Sequence, residues 1–252
     1  MGRAPMDAPA YLTKGDGRRL AFRRMAGRAP TLLFLPGYAS DMTGAKAESL
    51  AAWAAGRGQA MLRFDWSGCG RSDGRFEEQT IGGWLADARA MLALIEGPAA
   101  VVGSSMGGWV ALLLALAEPQ RVAALALVAP APDFTQWGVA ASLTAAERAS
   151  LARAGVFERP SPYGPEPTRY SRVLIEEGRE HLLMGRPIVL GCPVRILHGQ
   201  ADPDVPWQLS LELVERLTGG DVRLTLVKDG DHRLSRPQDL ALLRREVEAL
   251  LD

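Results

Sequence analysis

Gly103-Ser-Ser-Met-Gly-Gly108 decides the fold, because it joins a short apolar segment, Ala99–Gly103, to a longer one, Met106–Ala117. The first segment is typical of a buried strand and the second of a helix, so the chain turns sharply between them. Glycines at 103 and 107 flank Ser105, not Ser104, and a turn this tight requires residues of that size. Ser105 is therefore predicted at the apex, where the helix N-terminus favours negative charge beside its hydroxyl.

The same alternation of strand and helix continues on both sides of this turn. Further strands are predicted at residues 18–24, 31–35, 59–64, 122–128, 194–198 and 222–227. Further helices are predicted at residues 45–55, 80–95, 207–217 and 237–251. Short apolar strands that alternate with helices indicate a mostly parallel, twisted sheet with helices on both faces. We expect this α/β architecture in a single domain over residues 1–252.

Residues 133–186 break this pattern. They contain no strand-like apolar run, and they are polar, with helical patterns at 141–154 and 169–183. The Pro-rich stretch 158–167 separates the two patterns. Because the insertion falls between two predicted sheet strands, we expect it to form a small helical cap on the α/β domain.

Composition excludes several classes of protein. The chain has 29 Lys plus Arg and 29 Asp plus Glu, so it lacks the excess of basic residues that attracts nucleic acids or anionic membranes. Two cysteines, Cys69 and Cys192, are too few for a disulfide framework or a zinc site. The longest apolar run, 109–117, is too short to span a membrane, and residues 1–10 lack the apolar stretch of a signal peptide. The sequence thus predicts a soluble cytoplasmic protein.

A serine nucleophile needs a base, and the chain has three histidines. His232 follows the last predicted strand, and loops at that edge of a parallel sheet converge on the turn that holds Ser105. His198 ends a predicted strand, where a packed or loop-bracing histidine is the simpler interpretation. His181 lies late in a predicted cap helix, where a surface role is expected. We therefore predict His232 as the base.

The base in turn needs a carboxylate that fixes its tautomer. Asp202 follows a predicted strand, and Pro203 stiffens the chain beyond it. Asp204 is expected to turn outward and cap the helix that begins near residue 206. Asp133 is a rival acid, because it also follows a sheet strand. We predict Asp202 as the acid and keep Asp133 as the alternative.

Acyl transfer also needs N–H donors for the oxyanion. The residue after the nucleophile, Met106, supplies one backbone N–H. Leu35-Pro-Gly-Tyr38 follows an earlier strand and can supply the other, with Gly37 allowing close approach and Tyr38 donating its N–H. Among the cap aromatics, Trp137 is the best candidate for the wall of a substrate pocket, and Tyr163 and Tyr170 are further candidates.

Five motifs together resemble the α/β-hydrolase superfamily, along nearly the whole chain. They are Gly37-Tyr-Ala-Ser-Asp-Met-Thr-Gly44, Phe64-Asp-Trp-Ser-Gly-Cys-Gly70, Ser72-Asp-Gly-Arg-Phe-Glu-Glu78, Gly103-Ser-Ser-Met-Gly-Gly-Trp109 and Cys192-Pro-Val-Arg-Ile-Leu-His-Gly199. Within that superfamily they look like the palmitoyl-protein thioesterases and acyl-glucuronide esterases. The resemblance implies the α/β-hydrolase fold, Ser105, Asp202 and His232 as the triad, and a small cap over an acyl pocket. Lys at three positions and no Asn are typical of a GC-rich bacterial genome, so we expect a bacterial homologue.

These residues predict a serine hydrolase that cleaves carboxylic esters or thioesters through an acyl-enzyme. The sequence predicts no metal and no cofactor, a small-molecule or acyl-group substrate, and no nucleic-acid partner, and it leaves the oligomeric state open. Two alternatives remain. The same triad could perform cofactor-free haloperoxidase or lyase chemistry, or the chain could be a ligand-binding homologue with little turnover.

Overall fold

The computed structural model describes residues 8–251 and contains one large sheet and one small ribbon. The sheet runs in the order β1-β2-β4-β3-β5-β6-β9-β10, and β7 pairs only with β8. The strands are β1 (Ala10–Thr13), β2 (Arg19–Met25), β3 (Arg28–Leu35), β4 (Gln59–Phe64), β5 (Ala99–Ser104), β6 (Val122–Val128), β7 (Val156–Arg159), β8 (Thr168–Ser171), β9 (Val194–Gly199) and β10 (Val222–Val227). Strand β2 pairs antiparallel with β1 and β4, and every other neighbouring pair in the large sheet is parallel.

Helices cover both faces of the sheet, as the alternation of segments predicts. Helices α1 and α7 pack in one apolar cluster, and α2, α3 and α6 pack in the other. The helices are α1 (Ala45–Arg57), α2 (Ile81–Ala93), α3 (Met106–Ala117), α4 (Ala145–Ala154), α5 (Arg172–Glu177), α6 (Gln208–Arg216) and α7 (Pro237–Glu248). Helix α3 is buried on all sides over its first ten residues, which explains why it has almost no polar side chains.

The register of the parallel strands brings their carboxyl ends to one edge. Leu35 of β3 lies opposite Gly103 of β5, and Val227 of β10 lies opposite Gly199 of β9. Since these strands end level with one another, the loops that follow them meet above the centre of the sheet. The candidate site residues lie in those loops.

The insertion at residues 133–186, which we call the cap segment, corrects the sequence prediction of a purely helical cap. A turn of π-helix at Thr135–Val139 precedes α4, and α5 continues into a short 3-10 helix at Gly178–His181. Between α4 and α5 lies the antiparallel ribbon of β7 and β8. The expected helix at 169–183 was wrong in its first turn, because residues 169–171 pair with β7. Each ribbon strand is four residues long, too short for alternation to be visible in the sequence.

Candidate active site

Ser105 sits at the apex of the turn between β5 and α3 in a backbone conformation that costs energy. Its φ is 54° and its ψ is −119°, a region that L-residues rarely adopt. The amide of Ser105 donates to the carbonyl of Val128 at 2.8 Å, and its carbonyl accepts from Ala131 at 3.1 Å. These bonds to the end of β6 hold the strained turn and leave the side chain facing the loops.

The two flanking glycines have no room for a side chain. A Cβ on Gly103 would overlap the carbonyl of Gly107, and a Cβ on Gly107 would overlap the carbonyls of Leu35 and Pro36. Both obstacles are backbone atoms, which cannot rotate away. The need for the smallest residues at 103 and 107 is thus met as the sequence predicts.

His232 lies in the loop after β10 and contacts Ser105. Its Nε2 is 3.0 Å from the Ser105 Oγ, and its Nδ1 is 2.8 Å from the Asp202 Oδ2. A carboxylate oxygen can only accept, so Nδ1 carries the proton and Nε2 is free to accept from the hydroxyl. The structure therefore brings Ser105, His232 and Asp202 into one hydrogen-bonded chain.

Asp202 is a buried carboxylate whose two oxygens are fully used. Its Oδ2 contacts His232 and also the Nε2 of His198 at 3.1 Å, and its Oδ1 accepts from the amides of Asp204 at 2.8 Å and Val205 at 2.9 Å. Burial alone would raise the pKa of Asp202. The hydrogen bonds from His198 and His232, helped by the Val205 amide, outweigh that effect and hold this pKa well below its usual range.

The rival acid, Asp133, is used differently. Its Oδ1 accepts from the amide of Leu183 at 2.8 Å and its Oδ2 from the amide of Met184 at 2.9 Å. Both amides belong to the end of the cap segment, and Asp133 makes no hydrogen bond to His232. Asp133 therefore ties the exit of the cap segment to its entry, and the geometry leaves Asp202 beside the imidazole.

The residues of the two predicted oxyanion donors, Met106 and Tyr38, line the same cavity as Ser105. Within residues 8–251, neither the Met106 amide nor the Tyr38 amide donates to another protein group. Gly37 approaches closely, since a Cβ there would lie 3.5 Å from the Ser105 Cβ. The role of these two amides as oxyanion donors stays a prediction.

A cavity of about 520 Å³ opens above Ser105 and His232. All four pocket candidates line it, with Gly37 from the sheet loop and Trp137, Tyr163 and Tyr170 from the cap segment. Tyr170 stacks on Tyr38 with ring centroids 5.4 Å apart, so the cap segment rests directly on the loop after β3. Phe134, Met106 and Val205 add apolar surface. The cavity walls combine apolar and aromatic surface with polar groups, and the apolar part suits an acyl chain.

Asp204 does not cap a helix, contrary to the prediction. Helix α6 begins at Gln208, and its N-cap, Trp207, makes no side-chain capping bond. The Asp204 carboxylate instead accepts from the Tyr163 hydroxyl, and the Tyr163 ring lies 6.5 Å from the His232 ring. The guanidinium of Arg233 lies over the Tyr163 ring, 5.5 Å from the ring centroid. Asp204 therefore joins the tip of the cap segment to the loop that carries Asp202.

His198 is buried and braces a loop, as the sequence predicts, since its Nε2 bonds the Asp202 carboxylate and the Val205 carbonyl. The sequence does not reveal that this carboxylate is the one that His232 also contacts. Lys46, in contrast, was not expected at the site. Lys46 lines the cavity, and its Nζ donates to the carbonyl of Arg233, next to His232. Burial lowers the pKa of Lys46 to about 8. Lys46 lies in the first turn of α1, two residues after the motif that ends at Gly44, and nothing in the sequence marks it as a site residue.

Within the described range 8–251, one group of side chains has spacing that could suit a metal ion. It consists of Asp202, Asp204 and His232, whose ligand atoms lie within 4.8 Å of one another. Asp202 already accepts four hydrogen bonds, and the Nδ1 of His232 carries the proton that it donates to Asp202. These residues therefore present too few free lone pairs to hold a cation.

The sheet order and this site define the class of protein, and comparisons with known proteins agree. A family model described as the alpha/beta hydrolase fold matches residues 30–153, and one described as the prolyl oligopeptidase family matches residues 94–251. The chain belongs to the α/β-hydrolase family. Of residues 8–251, no helix combines the length and apolar character needed to cross a membrane.

Several known proteins are similar to this chain over nearly its whole length. The chain is 39% identical to palmitoyl-protein thioesterase ABHD10, mitochondrial, of Bos taurus, over 96% of this chain and 80% of that protein. The structure of mouse alpha/beta hydrolase domain-containing protein 10 is 38% identical, with a TM-score of 0.88 over 96% of this chain and 98% of that one. A provisionally named hydrolase from Agrobacterium vitis S4 is 46% identical, with a TM-score of 0.93 over 97% of this chain and 98% of that one. The resemblance expected from the sequence motifs is thus confirmed.

Proposed function

We propose that the protein hydrolyses carboxylic esters or thioesters through an acyl-enzyme on Ser105. The observation that carries this proposal is the hydrogen-bonded chain from Ser105 Oγ to His232 Nε2, at 3.0 Å, and from His232 Nδ1 to Asp202, at 2.8 Å. A serine hydroxyl becomes a nucleophile when a neutral imidazole accepts its proton and a carboxylate stabilises the resulting imidazolium. Ser105 and His232 line one cavity, and the buried Asp202 carboxylate bonds the His232 ring.

In the proposed reaction, His232 takes the proton as the Ser105 oxygen attacks the acyl carbon. The amides of Met106 and Tyr38 donate to the oxyanion that develops, a contribution of about 3 kcal/mol for each donor. His232 then passes the proton to the departing alcohol or thiol. Water deprotonated by His232 attacks the acyl-enzyme, and the acid leaves with Ser105 restored.

The names of the relatives point to thioesters as substrates. The mammalian relatives are named palmitoyl-protein thioesterases, and the apolar and aromatic part of the cavity above Ser105 supports an acyl group as the part recognised. We therefore propose an acyl thioester or an ester as the substrate. The cytoplasmic location expected from the sequence stays a prediction.

The test measures hydrolysis of p-nitrophenyl esters and S-acyl peptides of increasing acyl length, together with labelling by a fluorophosphonate. Ser105→Ala is expected to lower kcat by about 10⁴-fold or more and to abolish labelling. The matched control, Ser104→Ala, changes the neighbouring serine and should keep most of the activity. Hydrolysis that survives Ser105→Ala would contradict the proposal. Binding of acyl compounds without turnover would favour the ligand-binding homologue.

Hydrolysis of amides is a second candidate, because the prolyl oligopeptidase family model spans the segment that contains Ser105, Asp202 and His232. The same nucleophile and base would act, but the leaving amine must be protonated before it departs. A peptide p-nitroanilide added to the substrate panel separates the two. Faster turnover of the anilide than of every ester and thioester would favour this candidate.

A further inference from the structure

His198 donates to the same oxygen that binds the base. Its Nε2 lies 3.1 Å from the Asp202 Oδ2, while the His232 Nδ1 lies 2.8 Å from that oxygen on the other side. The His198 side chain is 0% exposed, and so is that of Asp202. Two imidazoles thus share one buried carboxylate oxygen, one in the hydrogen-bonded chain to Ser105 and one behind it.

The surroundings of His198 fix which of its nitrogens carries the proton. Its Nε2 is 3.1 Å from the Val205 carbonyl as well as from the Asp202 carboxylate, and both of these only accept. Nε2 is therefore the donor. In the neutral ring, Nδ1 then accepts from the Ser210 hydroxyl, 2.7 Å away in the first turn of α6.

His198 is the donor to Oδ2 that takes no part in the proton transfers of the proposed reaction. The Asp204 and Val205 amides hold only the other oxygen, Oδ1. His232 also donates to Oδ2, but its ring gains and loses a proton at Nε2 in each half of the reaction. Without His198, the Oδ2 end of the carboxylate would be free to shift with the ring that it is meant to orient.

We infer that His198 is a positioning residue, which fixes the Asp202 Oδ2 and thereby aims His232 at Ser105, and that Ser210 holds His198 in the required tautomer. This inference rests on the proposed function, since it assumes that Ser105, His232 and Asp202 act together. Buried partners that orient a reacting group contribute to the rate without touching the substrate.

The ionisable groups that face this arrangement are few. His198 on β9 faces Asp202, and beyond that carboxylate lie His232 from the loop after β10 and Asp204 from the same loop as Asp202. The facing residue on α6 is Ser210, which has no charge at neutral pH. Loss of the His198 donor should make the Asp202 carboxylate more basic. The acid limb of the kcat/KM profile is then expected to move to higher pH.

The test compares two amides at position 198. His198→Gln carries an N–H three bonds from Cβ, as far as the histidine Nε2, whereas the N–H of His198→Asn is one bond nearer the backbone and cannot reach Oδ2. With p-nitrophenyl butyrate as substrate, His198→Asn should lower kcat by about 10- to 100-fold with KM unchanged. His198→Gln should recover most of that loss. The acid limb should move only in His198→Asn.

A residue needed only for packing would give different results. Equal kcat values for the two amides, or an acid limb that does not move in His198→Asn, would overturn the inference. If either amide variant fails to fold by circular dichroism, Ser210→Ala decides. It should lower kcat by about 2- to 10-fold because the tautomer of His198 is held less firmly, and an unchanged kcat there would overturn the inference.

Ser105→Ala separates this inference from the proposed function. Activity that Ser105→Ala abolishes but that both amides at 198 retain leaves the proposed function standing and removes the role of His198. Activity that persists in Ser105→Ala removes the proposed function itself, and the inference about His198 falls with it.

Discussion

The sheet and the cap segment are held together by different physics. The sheet packs two large apolar clusters, one on each face, and its central strands are buried along their whole length. The cap segment has a cluster of four buried residues, Val139, Leu151, Phe157 and Ile175, and adds Leu174 and Leu183 to the larger sheet cluster. Stacked rings and ion pairs join its parts. The groups proposed to react lie on sheet loops, whereas much of the cavity wall lies on the cap segment. We therefore expect chemistry to depend on the first region and substrate choice on the second.

The largest expected effect separates two carboxylates at the edge of the sheet, one from each region. Asp202→Asn should lower kcat by about 10⁴-fold, because the amide cannot stabilise an imidazolium and favours the wrong tautomer of His232. Asp133→Asn should keep most of kcat, since Asp133 bonds only to cap-segment amides. Steady-state kinetics on one ester decide the matter. The reverse ranking would mean that Asp133 is the acid.

The Asp133 variant also has a structural consequence. An asparagine turns one N–H toward the Leu183 or Met184 amide, so one of these buried bonds is lost, at a cost of about 1–3 kcal/mol. Faster tryptic cleavage at arginines of the cap segment would report this loss. Unchanged cleavage would argue against the tie between the two ends of the cap segment.

The second effect compares glycines. Gly107→Ala should destabilise the fold by about 4 kcal/mol or more, because the new Cβ would overlap two backbone carbonyls at the end of β3 that cannot move aside. Gly164→Ala in the cap segment is the matched control, since a Cβ there meets no atom within 4 Å. Its stability should stay within about 0.5 kcal/mol of the parent. Urea unfolding measures the stability of both variants. A mild effect at Gly107 would show that the turn between β5 and α3 has room to adjust.

The difference between the regions also explains what sequence reasoning could predict. Strands β4 and β6 and helix α3 lie at their predicted residues, because a buried strand or helix must be apolar along its length. Ser105, His232 and Asp202 could be predicted for a related reason, since each follows a strand at the sheet edge where the carboxyl ends of the parallel strands meet. The ribbon of β7 and β8 was missed, because its stability comes from Tyr170 and Phe157 stacking across the pair, a contact that leaves no periodic pattern.

For His198 the sequence predicts the packed, loop-bracing role but not the partner. Its strand position was predicted, and its burial was expected from the bracing interpretation, but a sequence does not tell which carboxylate a buried histidine meets. Only the conformation of the loop at 202–205, which follows β9, brings the Asp202 Oδ2 to the His198 ring. The partners of polar groups across loops are therefore the part of the site that a sequence leaves undetermined.

The third effect compares truncations in the two cores. Leu127→Ala in β6 should lower the free energy of unfolding by about 2–5 kcal/mol, because Leu127 is fully buried in the larger cluster. Phe157→Ala should change the global transition less, since the small cluster of the cap segment can open while the sheet remains folded. Hydrogen exchange should show the loss of protection confined to residues 133–186. A coincident loss across the sheet would mean that the two regions unfold as one unit.

The smallest expected effect concerns an ion pair within the cap segment. Glu147 bonds Arg159 at 2.8 Å and the Thr144 amide at 2.7 Å, and these contacts, the guanidinium first, lower its pKa from 4.5 to about 2. A lowered pKa means that the carboxylate stabilises the folded state fully above pH 4.5, and that this contribution is lost as the pH falls through about 2. Glu147→Gln keeps the capping bond and removes the charge. Because the ion pair is partly exposed, Glu147→Gln should lower the free energy of unfolding by about 0.5–1 kcal/mol at pH 7. Near pH 2 the substitution should have no effect, because the glutamate is then protonated.

Glu166→Gln is the control for this ion pair, because Glu166 lies in the same cap segment and pairs with no residue among those described. It should leave the free energy of unfolding unchanged at every pH, whereas the deficit of Glu147→Gln should shrink as the solution is acidified. Urea unfolding at several pH values measures the two curves. A deficit in Glu147→Gln that persists at acid pH would assign its effect to the neutral hydrogen bonds of the capping turn rather than to the charge facing Arg159.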